Sequence, residues 1–569
     1  LASILDTMAD MLEVLGENRF KVRAYRKAAR NIMDLVEDIE DVAERGDLTN
    51  IPGVGKEIAR KIEQFLREGT ITEYERLKRQ VPLSMELLDI QGLGPKTLAL
   101  LYKELGVRTL DDLERALESG QVEKLPRMGR KKVEELKKGV AFYKLGAGRI
   151  PLGEALPIAE EVTEALGALE GVIEARVAGS LRRMKETIGD IDILAMAEDG
   201  GGVIERFTKL PFVDEVLLAG ETKCSVRVKG TLQLDVRVVR PESWGAALQY
   251  FTGSQAHNVH MRTIAIKHGL VLNEYGLFRD GRRLAGRTEE EIYEKLGMEW
   301  IPPELREDRG EIEAAIEGTL PRLVRIEEIR GDLHVHSDWS DGRDSIEQMV
   351  EAARRVGYDY VAIADHSPSS TVAGGLSRER LKEKRKALER VRAEAVGIAV
   401  LMAAEVDIRS DGSLDYPDEV LAGLDLVVAA VHSGFKSDSE TMTRRMVKAL
   451  ENPYVDVLAH PTGRLLGSRA AYEFDVETVM KTALRKDKAL EINSHYLRLD
   501  LNDVNARTAV GMGVKLVIST DAHSTEQLRM MRYGVATARR GWVEARHVVN
   551  CWDRDRLMGW LASRKRGRG

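Results

Sequence analysis

The sequence predicts a multidomain protein with an all-α N-terminal region, an α/β middle and a C-terminal (β/α)7 barrel of parallel strands. Three observations carry that prediction. Up to about residue 145, apolar side chains recur at helical spacing and Gly and Pro are confined to punctuation. After Gly146-Ala147-Gly148 helices alternate with strands, two of which carry spaced acids, Asp190-Ile191-Asp192 and Leu234-Asp235-Val236. From residue 330 onward, apolar strand-like runs end one after another on His, Asp or Glu.

A chain of 569 residues is long enough for several independent cores. No apolar run approaches membrane length and the N-terminus has no signal-peptide pattern, so a cytoplasmic location is expected. Two cysteines, Cys224 and Cys551, exclude a disulfide framework and a thiolate zinc finger. Any metal site must therefore use His and carboxylates. The net charge of -7 argues against a uniformly basic nucleic-acid binder, but binding needs only a local basic face.

Within the helical region, Lys21–Arg30 is a basic stretch without an acid. Two hairpins then repeat: Ile51-Pro52-Gly53-Val54-Gly55-Lys56 and Ile90-Gln91-Gly92-Leu93-Gly94-Pro95-Lys96, each opening a helix. Free N–H groups and the positive end of the helix dipole would face outward together and hold a DNA phosphate without reading a base. These resemble helix-hairpin-helix motifs, with Gly53, Gly55, Lys56, Gly92, Gly94 and Lys96 as the DNA-binding positions. A third stretch, Leu125–Lys132, has Arg127 where the first glycine belongs and matches less well.

In the middle region, Gly179-Ser180 closes a turn whose N–H groups and hydroxyl suit a phosphate, and Arg183 adds a fixed charge. Asp190 and Asp192, spaced i, i+2, share a face, and Asp235 lies on a second strand. A D-x-D alone also fits a solvated strand end. The turn, the arginine and the third acid make two-metal attack on a nucleotide α-phosphate the better account.

Further on come Tyr250-Phe251-Thr252-Gly253-Ser254, then Asn258 and Arg262 one helical turn apart. Joined to the acids and hairpins, this pattern resembles DNA polymerase family X, the polymerase beta family, over residues 1 to about 318. The resemblance implies a nucleotidyltransferase palm with an α+β thumb. It implies that Asp190, Asp192 and Asp235 hold Mg²⁺ or Mn²⁺, and that Arg149, Gly179, Ser180, Arg183 and Gly189 cradle the triphosphate. Tyr250, Phe251, Thr252 and Gly253 would lie against the sugar and disfavour a 2′-OH, and Asn258 and Arg262 would touch the nascent pair from the minor groove. Lys61 falls where lyase-active relatives carry a Schiff-base nucleophile, with Lys21 and Tyr25 matching neighbours. Glu57, however, replaces a basic residue of those relatives, which argues against lyase activity.

The last region opens on Asp332-Leu333-His334-Val335-His336 with Asp341 close behind. Later strands end at His366, Glu405, His432, His460 and Asp521-Ala522-His523. Six of the eleven histidines sit at these ends, and ligands at the carboxyl ends of barrel strands converge on one mouth. The set resembles the PHP (polymerase and histidinol phosphatase) domain, which implies up to three divalent metals (Zn²⁺, Mn²⁺ or Fe²⁺) held by His334, His336, Asp341, His366, Glu405, His432, His460, Asp521 and His523. His495 is an extra imidazole near the mouth with no assigned role.

The reading that follows places a first helix-hairpin-helix domain at 1–80, a second at 81–145, a palm at 146–240, a nucleotide-selecting subdomain at 241–318, a linker at 319–329 and the PHP domain at 330–569. The expected activity is DNA-directed gap filling in repair, with 3′-5′ exonuclease by the barrel; whether the barrel also cuts at abasic sites is left open by the sequence. The expected partners are gapped or primer-template DNA and deoxynucleoside triphosphates, bound by a monomer without a membrane. Two alternatives are a barrel acting as a small-molecule phosphoesterase and a DNA-end scaffold with residual catalysis.

Overall fold

The computed structural model describes all residues except 34–38, 82, 91–92, 127, 147–148, 230–231 and 567–569. The chain divides into two compact units, one of residues 1–147 with 467–470 and one of residues 148–466 with 471–569.

The first unit is all helical, as its periodicity predicts. Gly55 and Gly94 stand as N-caps of the helices Lys56–Glu68 and Pro95–Leu105, and neither start has a side-chain cap. Each hairpin closes the same way: Val54 N–H donates to Ile51 C=O and Leu93 N–H to Ile90 C=O, both at 2.9 Å. The third stretch folds alike, with Met128 N–H on Leu125 C=O at 3.1 Å ahead of the helix Arg130–Gly146. Its departure at Arg127, itself outside the described residues, therefore does not prevent the turn. Gly53 has φ +92°, and a Cβ there would come within 2.8 Å of Lys27 Cγ, so glycine is required on both counts. Gly92 lies outside the described residues.

In the second unit, a five-stranded sheet runs Glu174–Val177, Ile191–Met196, Leu232–Val239, Lys223–Val228, Val213–Ala219. Ile191–Met196 and Leu232–Val239 are parallel neighbours, with Asp192 directly opposite Asp235. Ile191, Ile193, Leu234 and Val236 face the core, so the intervening acids must face outward. Two helices, Trp244–Thr252 and Gln255–Lys267, and a three-stranded antiparallel sheet follow. Residues 319–329 are not a loose connection: Leu323 and Val324 are buried, and Val324 N–H donates to Val543 C=O at 2.9 Å.

The C-terminal part is a parallel sheet of seven strands in chain order, Gly331–Val335 to Lys515–Ser519, with a bridge from Val335 to Ala522 joining its ends. Continuous apolar runs such as Tyr360–Ile363 and Leu426–Ala430 are buried throughout, as a sheet covered on both faces demands. This is the (β/α)7 barrel expected from the sequence. Among the described residues, no helix is long and apolar enough to cross a membrane.

Candidate active sites

The palm site is built on the glycine turn. Gly179 has φ +60°, and a Cβ on it would sit 2.1 Å from Asp192 Oδ2. The backbone of the Gly179-Ser180 turn thus lies directly against the Asp192 carboxylate, an approach open only to glycine. Arg149 and Gly189 are brought together in the same way: a Cβ at Gly189 would be 3.1 Å from Arg149 Nη1, while Arg149 Nε donates to Thr187 Oγ1 at 3.0 Å.

Burial, and then the charges of Asp190 and Asp235, push the Asp192 carboxyl up to about 7. Asp235 stays low although burial opposes it, because Ser225, Gln233 and Lys223 hydrogen-bond its charged form, Lys223 Nζ lying 3.1 Å from Oδ2. The Gly179 backbone and two neighbouring acids leave Asp192 with unmet negative charge. A divalent cation fits that donor set.

The Tyr250–Gly253 segment joins this site through two arginines. Arg182 Nη1 donates to Thr252 Oγ1 at 2.6 Å, and Arg183 Nη1 donates to the Thr252 carbonyl. Arg183 is also fixed by Glu307, Nε to Oε1 at 3.1 Å. Phe251 lies under the Arg237 guanidinium, 4.5 Å from its ring centroid. Asn258 uses both ends of its amide internally, accepting from Gln249 Nε2 at 2.8 Å and donating to the Tyr250 carbonyl at 2.7 Å. Arg262 is exposed, its Nε donating to the Asn258 carbonyl.

In the helical unit, Lys61 Nζ donates to Glu57 Oε1 at 2.7 Å and lies 5.7 Å from the Tyr25 ring centroid. Burial alone would lower the lysine, but Glu57 and Tyr25 hold it above its ordinary value. It stays charged at neutral pH, as the glutamate in the sequence predicts.

The barrel mouth is far tighter. Three groups place their ligand atoms within 4.8 Å of one another: His336, Asp341, His366 and His523; His334, His336 and Asp521; and His366, Glu405 and His432. Among the described residues these are the groups that close, and the palm acids do not draw to that distance. The ninth expected ligand, His460, has Nε2 2.9 Å from Glu405 Oε1. Although burial opposes it, the surrounding imidazoles hold Glu405, Asp521 and Asp341 well below the carboxylate range. Burial and the neighbouring His523 and His366 push His336 down to about 4, leaving it neutral. His432, despite burial, is held up to about 9 by Glu405 and Asp407. The Nδ1 atoms of His336 and His460 are buried with no hydrogen-bond partner among the described residues. Orphaned imidazole nitrogens among carboxylates fit divalent metals such as Zn²⁺, Mn²⁺ or Fe²⁺.

Several residues here carry no sequence signal. Glu491, buried behind the mouth, has Oε1 2.8 Å from His334 Nδ1 and accepts from the His460 N–H through Oε2. Asp407 Oδ1 lies 3.0 Å from His432 Nδ1. Such carboxylates fix the tautomer and ring orientation of a ligating imidazole. Glu491 sits within a strand that the sequence reveals, but its pairing with His334 crosses 157 residues.

An acid-bearing palm and an imidazole-rich barrel in one chain define a nucleotidyltransferase joined to a metal-dependent phosphoesterase. Family models agree: a helix-hairpin-helix domain matches residues 1–71, a SAM-like helix-hairpin-helix tandem 84–140, the DNA polymerase beta palm 149–236, the DNA polymerase beta thumb 247–307 and the PHP domain 332–495. The chain is 40% identical over 552 residues, 96% of each chain, to the DNA polymerase/3′-5′ exonuclease PolX of Bacillus subtilis. It is 26% identical over 333 residues to DNA polymerase lambda of Rattus norvegicus, covering 53% of this chain and 55% of that one. Over 247 residues it is 27% identical to a protein described as a probable phosphatase of Thermoanaerobacter, covering 41% of this chain and 95% of that one. The chain belongs to the PolX family, the family X DNA polymerases that carry a PHP domain.

Proposed function

We propose that the protein fills short gaps during DNA repair by two-metal nucleotidyl transfer in the palm, and that its barrel removes 3′-terminal nucleotides. The near full-length likeness to PolX, with both ligand sets intact, is the observation that carries this reading. Mg²⁺ or Mn²⁺ would bind at Asp190, Asp192 and Asp235, and up to three ions at the nine barrel ligands. When bound, such ions lower the pKa of an attacking oxygen and neutralise charge on the phosphate.

The chain's own groups do the rest. The Gly179-Ser180 turn offers N–H groups to a triphosphate, and Arg149 and Arg183 stand pre-positioned beside it. Tyr250 and Phe251 present a surface to the sugar on a segment tied to Arg182 and Arg183. The open helix starts at Gly55 and Gly94 suit DNA phosphates on either side of a gap. Abasic-site cleavage is assigned to the same barrel ligands. The Glu57-bound Lys61 supports no lyase step.

The test is a labelled primer across a one-nucleotide gap with Mg²⁺ or Mn²⁺. One deoxynucleotide should be added when the triphosphate is present, and the primer should shorten when it is withheld. A protein that does neither overturns the proposal. Release of phosphate from small phosphomonoesters with DNA left intact would instead favour the small-molecule phosphoesterase reading, to which the barrel's likeness to a probable phosphatase lends support. Borohydride trapping on a 5′-deoxyribose-phosphate end should give no adduct, and an adduct lost in Lys61→Ala would overturn that part.

A further inference from the structure

The loop that follows the barrel strand Ala489–Asn493 carries a cation that the metal-ligand pattern does not use. Arg498 stands at the carboxyl ends of the strands, where the ligands converge, with Nε 3.6 Å from Asp521 Oδ2. Its side chain is 19% exposed. Among the described residues no acceptor lies within hydrogen-bond distance of the guanidinium. At 3.6 Å this contact is an ion pair without a hydrogen bond, longer than the roughly 2.7–2.9 Å of a charge-assisted bond.

The loop is held firmly. The Asn493 N–H donates to the Asp500 carbonyl at 2.6 Å, and the Arg498 N–H to the His495 carbonyl at 2.7 Å. The buried Asp500 carboxylate accepts the N–H groups of Thr462 and Gly463 at 2.9 and 3.0 Å. Arg464 donates to the Arg498 carbonyl at 2.8 Å and reaches Glu186 of the palm at 2.7 Å. Tyr496 packs over Gly153 so closely that a Cβ there would stand 2.4 Å from its ring. So many fixed contacts around a guanidinium that makes no hydrogen bond among the described residues mean that its ordering cost is met before any ligand arrives. The group best matched to a guanidinium free of hydrogen bonds at this mouth is a phosphate, whose oxygens would accept from its N–H groups.

We propose that Arg498 is a substrate-binding residue of the barrel, gripping the non-bridging oxygens of the phosphate group that enters the mouth. This rests on the reading of the barrel as a phosphodiesterase, in which that phosphate is the 3′-terminal linkage of DNA. The same chemistry would also hold a free phosphate or a phosphomonoester, so the test separates these sources.

The full chain and its Arg498→Ala and Arg498→Lys variants are compared in three measurements. Metal content per chain should be unchanged, because Arg498 donates to no ligand at hydrogen-bond distance. Calorimetric affinity for a deoxynucleoside 5′-monophosphate and for inorganic phosphate should fall about tenfold or more in Arg498→Ala, with Arg498→Lys between, since a point charge replaces a fork. Primer shortening should fall on the order of 100-fold in Arg498→Ala. A primer whose terminal linkage is a neutral methylphosphonate should lose this dependence on Arg498. Wild-type anion affinity in Arg498→Ala, or loss of bound metal from that variant, overturns the proposal. Arg498-dependent affinity for the monophosphate in a protein that shortens no primer upholds the grip and overturns the phosphodiesterase reading.

Discussion

The palm and the barrel both gather carboxylates, yet they settle the resulting charge in opposite ways. In the palm, three acids face one another, Lys223 is the cation in direct contact with Asp235 among the described residues, and Asp192 is driven up to about 7. In the barrel, Asp341, Glu405 and Asp521 are interleaved with imidazoles and held well below their ordinary range. The barrel's side chains therefore neutralise one another and hold a closed geometry, with ligand atoms already within 4.8 Å. The palm acids stay apart and await a cation. A site that must admit a new nucleotide with its metal at every turnover suits the second arrangement, and a site that retains its ions suits the first.

The comparison can be broken most sharply at Glu405, which lies 2.9 Å from both His366 and His460 and 3.2 Å from His432. Glu405→Gln should lower barrel metal affinity by more than about 100-fold, beyond the range of an outer-shell change, as read by metal titration. Glu491→Gln acts one step further out, through His334. It should cost about 10- to 100-fold in the same titration, with the fold intact by circular dichroism.

A smaller effect is expected where the two halves meet. Arg540, from the barrel helix Met531–Arg540, donates to the Arg183 carbonyl at 2.7 Å and to Glu307 and Asp503 at 3.1 and 2.8 Å. Arg540→Ala should loosen the Gly179-Ser180 turn and, if that turn holds the triphosphate as proposed, raise KM for deoxynucleotides about tenfold, equivalent to about 1.4 kcal/mol, with kcat less affected. An unchanged KM would detach the turn from the barrel.

The smallest effect is in pH. Asp192 must lose its proton to bind a cation, so extension at subsaturating Mg²⁺ should fall as pH drops through about 7, by up to tenfold per unit. Asp190→Asn removes one of the repelling charges and should move that midpoint down by about one unit, as far as residual activity allows it to be read. In the barrel His432 is held up to about 9, and His334, His366 and His523 are raised as well, so metal affinity there should already weaken as pH falls below about 9.

The architecture was legible because its signals are local. Each barrel strand is a short apolar run, and the residue at its carboxyl end faces the mouth by geometry alone, so His366, Glu405, His432 and His460 could be read one strand at a time. Alternation placed Asp192 and Asp235 outward in the same manner. The turn at Leu125–Gly129 is only weakly signalled in the sequence because Arg127 stands at its first glycine position, yet the backbone hydrogen bond from Met128 to Leu125 forms without that glycine. Long-range pairs left no trace in the sequence. The Glu307 partner of Arg183 lies 124 residues away, and Arg498 reaches Asp521 because its loop curls back over the mouth. Nothing in a one-dimensional pattern encodes those approaches.

The account's central claim is that one chain carries two separate active sites on DNA. The most direct measurement compares Asp192→Ala and His336→Ala on a labelled one-nucleotide gap, with and without deoxynucleotides. The account predicts that extension disappears in the first with shortening retained, and that shortening disappears in the second with extension retained. Loss of both activities in either variant would contradict it, since one site would then be serving both reactions.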